Sequence, residues 1–169
     1  MPIDLLFYIA AAVSIVATLR VITHLHAVHA LLYLVISLLS VALIFYLLGA
    51  AFAAALEIII YAGAIMVLFV FVIMLLNQGP ATVQQERQWL TPGMWVGPAA
   101  LSLVLLAEVA FIIASAPVVA DSERPFGPKD IGLSLYGPYV IGLELASLLL
   151  LAGLIGAYHL GRRLPAEAP

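Results

Sequence analysis

With 169 residues, 66% of them hydrophobic and 9% charged, the chain carries too much apolar surface for a water-soluble globule and reads as an integral membrane protein. Its apolar runs continue for about 20 residues without the period-2 alternation of lipid-facing strands, which argues against a barrel and for an all-α, polytopic architecture. A net charge of −3 without a polybasic stripe disfavours nucleic acid as a ligand. The absence of cysteine excludes an iron–sulfur cluster, a thiolate metal site or a disulfide within this sequence.

Five transmembrane helices are predicted, at about residues 3–22, 28–50, 53–77, 93–115 and 138–160, forming a single membrane domain over 1–169. The sequence opens Met-Pro-Ile-Asp, with an acid where a signal peptide would carry basic residues, so the first span is expected to be retained. The apolar tract from Val28 to Asn77 would reach about 75 Å as one helix against a hydrocarbon core of roughly 30 Å, and is therefore two spans. The only weak point near its middle is GAAFAAA at 49–55, which predicts a very short hairpin around Gly49.

A polar connection at 77–88 follows, containing Gly79, Pro80, Glu86 and Arg87, and Pro92 suits the first turn of the fourth helix. Residues 116–137, with Pro117, Pro125 and Pro128, are expected to be a loop on the outer side. Arg20, Arg87, Arg162 and Arg163 fall on one side, Arg124 and Lys129 on the other. This asymmetry places the N-terminus outside and the C-terminus in the cytoplasm, with Trp89 and Trp95 at the inner interface.

Three carboxylates lie within spans. At 1.5 Å per residue, Glu57 falls about 11 Å, Glu108 about 4 Å and Glu144 about 8 Å from mid-membrane, all in the outer half. Ionisable groups inside a membrane are costly unless paired, protonated or functional, and such a cluster suits a hydrogen-bonded proton relay with water. Lone glutamates that merely satisfy a neighbouring helix are the plainer alternative, above all for Glu108, which no motif supports. Tyr61 follows Glu57 by four residues and shares its helix face. Ala62, Gly63 and Ala64 form a band of small residues where another helix can approach. The histidines His24, His26, His29 and His159 read as solvated residues at the inner interface; positions 24 and 26 point apart on a helix, so no metal site is expected.

The stretch LEIIIYAGAIMVLFVFVIMLLN at 56–77 is similar to the third-helix signature of a known family: the J subunits of proton-translocating NADH:quinone oxidoreductase, respiratory complex I, with mitochondrial subunit 6 as counterpart. ATLRVITHLHAVHALLYLVISLL, QERQWL and GPYVIGLELASLLLLAGLIGAYHLGR extend the resemblance in colinear order over nearly the whole chain. Ala27 stands where the family often has proline, and Glu108 is outside the pattern.

The resemblance implies a non-redox subunit of the bacterial inner membrane, packed in the lipid bilayer among the small membrane-arm subunits, the quinone-chamber subunit and the antiporter-like subunits. NADH, FMN, iron–sulfur clusters and quinone are expected in the complex, and no cofactor in this chain. It also implies a third helix able to carry a π-bulge near Tyr61 to Val67, with Glu57, Tyr61 and Glu144 on a proton path and Gly63, Met66, Val67 and Phe69 as switch and gate. A structural spacer in the same complex, or a small autonomous ion carrier, are the competing readings. The missing mid-span lysine or arginine and the lack of an internal repeat weigh against the carrier.

Overall fold

The computed structural model describes residues 3–25, 27–76, 92–115 and 127–161. The expected polar connection at 77–88 with Trp89, the 116–126 part of the expected loop, His26, Arg162 and Arg163 lie outside them. The described residues contain helices and no strand. Five helices are long and apolar enough to cross a membrane, at Ile3–Thr23, Ala27–Leu47, Ala51–Leu75, Gly93–Ala114 and Val140–Gly161.

These helices belong to two units, 1–126 and 127–169. In the first, α1 (Ile3–Thr23) and α2 (Ala27–Leu47) form the tightest pair. Small residues make the close approach possible: Ala10 and Ala17 of α1 are fully buried against α2. The Thr18 and Ser37 hydroxyls bond across the interface at 2.8 Å. Leu105 of α5 (Pro92–Ala114) joins Ala10, Val13, Ala17, Ile36 and Leu43 in one apolar cluster, so α1, α2 and α5 share a core.

α5 runs through Pro98 without interruption. A proline there cannot donate to the carbonyl one turn back, and its neighbour Gly97 leaves the backbone bare. The Tyr33 hydroxyl of α2 occupies the space where a Cβ on Gly97 would stand.

α2 ends in a left-handed glycine. Gly49 has φ +84°; its N–H donates to the Tyr46 carbonyl at 3.0 Å, and that of Ala50 to the Phe45 carbonyl at 2.9 Å. This is the Schellman arrangement, which satisfies the last carbonyls of the helix while the chain reverses. Leu48, Gly49 and Ala50 alone separate α2 from the next helix. The third span is built from α3 (Ala51–Leu56), a π-helical segment (Glu57–Ile65) and α4 (Met66–Leu76), and all three pack along α2.

The second unit holds α6 (Pro128–Leu135) and α7 (Val140–Gly161). The expected loop at 116–137 is thus helical in part. Pro128 occupies the first turn, where proline is favoured, and the Gly127 N–H donates to Asp130 Oδ2 at 3.0 Å. Eight residues of helix rise only about 12 Å, too little to cross a bilayer. A Cβ on Gly137 would lie 2.8 Å from the Leu133 carbonyl oxygen, so the turn into α7 needs glycine there.

Candidate functional site

The π segment is the irregular part of the third span. At its end the Met66 N–H reaches back five residues to the Tyr61 carbonyl, besides the Gly63 carbonyl. At its start the Glu57 N–H still bonds three and four residues back, to Ala54 and Ala53. The widened turns therefore open at Glu57 and close at Ile65. This is earlier than the 61–67 region the resemblance suggested, because the wide turn already includes Ile58. The Ile58 carbonyl oxygen lies 3.2 Å from where a Cβ on Gly63 would be, so the absent side chain leaves room for a carbonyl five residues back. Long π-helices are uncommon because each inserted residue disturbs the α-helical ladder, and they occur mostly at functional sites.

The predicted residues distribute around this segment unevenly. Glu57 is half-buried at its first turn, and Tyr61 is 50% exposed. Neither side chain makes a hydrogen bond among the described residues. Gly63 is half-buried. Just past the segment, Met66 is 2% exposed whereas Val67 is 67% exposed, and Phe69 is exposed as well. One face of α4 thus buries methionine and turns valine and phenylalanine outward. Glu144 belongs to the second unit, exposed on α7, where the Ser147 hydroxyl donates to its backbone carbonyl at 2.7 Å.

Ile58 of the π segment also lines an apolar cleft of roughly 590 Å³ within the first unit. Leu43 and Tyr46 of α2 and Leu105 and Val109 of α5 form its other walls.

Two features escaped sequence reasoning. His29, read as solvated, is buried; its ring stacks on His24 at 5.4 Å between centroids, and the Tyr33 ring lies 5.9 Å from His24. Glu108, supported by no motif, is the carboxylate the structure buries: it is 5% exposed and neither oxygen has a hydrogen-bond partner among the described residues. Spacing on α2 held a partial signal. His29, Tyr33, Ser37 and Ser40 recur at intervals of four, four and three, the repeat of one helix face.

A polytopic helical membrane protein with a π-helical third span is the class these features define. The family model for NADH-ubiquinone/plastoquinone oxidoreductase chain 6 matches residues 17–160. A protein of Pseudomonas aeruginosa called NADH-quinone oxidoreductase subunit J is 62% identical over 158 residues, covering 93% of this chain and 95% of its own length. The subunit J of Escherichia coli K12 is 56% identical over 156 residues, 92% of this chain and 85% of the relative. That of Buchnera aphidicola from Schizaphis graminum is 46% identical over 162 residues, 94% and 98% of the two chains. The chain belongs to this family, the J-type membrane subunits of respiratory complex I.

Proposed function

We propose that this subunit couples quinone reduction elsewhere in complex I to proton translocation, through a third helix that switches between π and α winding. The observation that carries the reading is the π segment Glu57–Ile65 with Gly63 inside it. A π turn holds one residue more than an α turn, so removing it rotates everything beyond by roughly 100°. Such a slip exchanges Met66 for a sequence neighbour at the buried position, and Val67 is the exposed neighbour beside it. Glu57 and Tyr61, polar groups on the segment itself, serve as steps for protons, with Glu144 on the fifth span as a further step. Val67 and Phe69 are the apolar gate.

The chain brings no redox group of its own. NADH, FMN, the iron–sulfur clusters and quinone belong to other subunits of the complex. Its neighbours are the small membrane-arm subunits and the quinone-chamber subunit, in the bacterial inner membrane, with the N-terminus outward.

The test is Gly63→Val in assembled complex. A branched side chain against the Ile58 carbonyl oxygen disfavours the wide turn. Proton pumping into proteoliposomes should fall severalfold while NADH oxidation by an artificial acceptor is unchanged. Pumping at the normal stoichiometry in this variant would reject the switch and leave a structural spacer.

A further inference from the structure

The α1–α2–α5 core contains polar groups that the third-helix switch does not use. On α2, His29, Tyr33, Ser37 and Ser40 are all buried and lie on one face. His24 extends this stripe at the Thr23/Ala27 end through its contacts with His29 and Tyr33. Thr18 adds a hydroxyl from α1 at the level of Ser37, and the Ser40 hydroxyl donates to the Ser37 carbonyl at 2.7 Å. A buried file of hydroxyls and imidazoles is unusual between helices that otherwise meet through alanine, valine and leucine.

The file points toward Glu108. Tyr33 against Gly97 and the shared cluster of Leu43 with Leu105 set α2 and α5 side by side in the same direction. Glu108 is eleven residues beyond Gly97 and Ser40 seven beyond Tyr33. At 1.5 Å per residue the carboxylate stands roughly 6 Å farther along the axis than Ser40, about one helical turn on.

Among the described residues no hydrogen-bond partner reaches its oxygens, and the core it shares a helix face with is apolar. Ala10, Val13 and Ala17 face the core from α1, Ile36 and Leu43 from α2, and Leu101, Leu105 and Ile112 from α5. Among titratable groups on these helices, Asp4, Tyr8 and Arg20 are exposed and Tyr46 lines the apolar cleft, while His24, His29 and Tyr33 stand at the far end of the stripe. An unpartnered carboxylate anion is among the costliest groups to hold in such a place, whereas a carboxylic acid carrying its proton is tolerated. The opposite way out, toward Ala114, is walled by apolar side chains that include Leu47 and Ile112.

We propose that Glu108 is a proton-binding site, filled from the Thr23/Ala27 end of the bundle along the His29–Tyr33–Ser37–Ser40 stripe. The ligand is a single proton: an O–H bond of a hydronium ion breaks, leaving water, as one O–H bond forms on the carboxylate, and on release that bond breaks as the proton returns to a water molecule. The site lies on α5 and stands whether or not the third helix switches.

Infrared difference spectroscopy of the intact complex in proteoliposomes tests it. Wild type minus Glu108→Gln should contain the carbonyl stretch of a protonated carboxylic acid that shifts in D₂O, and Glu108→Asp should retain such a band, which keeps the site measurable if the glutamine variant does not assemble. Ser40→Val should slow deuterium exchange of that band by about tenfold, the effect of removing one hydrogen-bonded step. A carboxylate doublet at Glu108 in place of the acid band overturns the site. Exchange at the normal rate in Ser40→Val overturns it as proposed, because the proton then arrives by another way.

Discussion

Glu57 and Glu108 are the same chemical group in neighbouring spans, yet the fold treats them oppositely. Glu57 opens a π segment with no buried residue, on a helix that leans on α2 and turns much of its surface outward. Glu108 sits on an unbroken α-helix, buried and without a hydrogen-bond partner among the described residues. The first carboxylate lies in widened, irregular turns; the second is closely packed on a regular helix. Irregular backbone suits a moving part, whereas a rigid apolar shell suits a group whose charge state matters.

The contrast breaks most visibly under a change of charge. Glu108→Lys puts an ammonium where nothing pairs with it, at a cost of about 3 kcal/mol on insertion scales. Assembled complex on native gels should drop more than tenfold, whereas Glu108→Leu should assemble normally. Equal assembly of the lysine variant would mean that a counter-charge or bulk water reaches this position.

A smaller effect separates the two glycines. Gly97→Val collides with the Tyr33 hydroxyl and should destabilise the α2–α5 contact by about 1–3 kcal/mol, seen as loss of the subunit from solubilised complex at lower temperature. Gly63→Ala needs only a small retreat of the Ile58 carbonyl, and a gain in helix propensity of about 1 kcal/mol offsets it. The same thermal series should leave Gly63→Ala within measurement error of wild type. Reversal of that order would show the third span to be the rigid one.

Smallest is the interhelical hydroxyl pair. Thr18→Val removes the bond to Ser37 and should cost about 0.6 kcal/mol, the average for such bonds in membranes, a shift of a few degrees at most in the same series.

The spans were legible because hydropathy and length decide them. The hairpin was legible because Gly49 is the one glycine near the middle of a 50-residue apolar tract, where a left-handed φ can reverse the chain. The burial of Glu108 was not readable for a physical reason: α5 is apolar around most of its circumference, so periodicity gives it no inward face, and only the packing of α1 and α2 selects one. The burial of His29 was unreadable alike, since its position near a helix end suggests water while the His24 ring stacks on it. The extent of the π segment was not readable either. Gly63 permits a wide turn, but where the extra residue begins and ends depends on contacts along α2. Likewise Pro128 reads as a breaker by composition, yet its place, one residue after Gly127 and two before Asp130, is that of a helix start.

The link Leu48–Gly49–Ala50 has a consequence for biosynthesis. No charged or polar side chain lies between α2 and the third span, so nothing there must be carried through the headgroups against a hydration penalty. The two helices enter the bilayer as one hairpin, and the orientation taken by α2 dictates that of the π-bearing helix. An epitope spliced at Gly49 would undo this by putting polar residues into a turn that carries none.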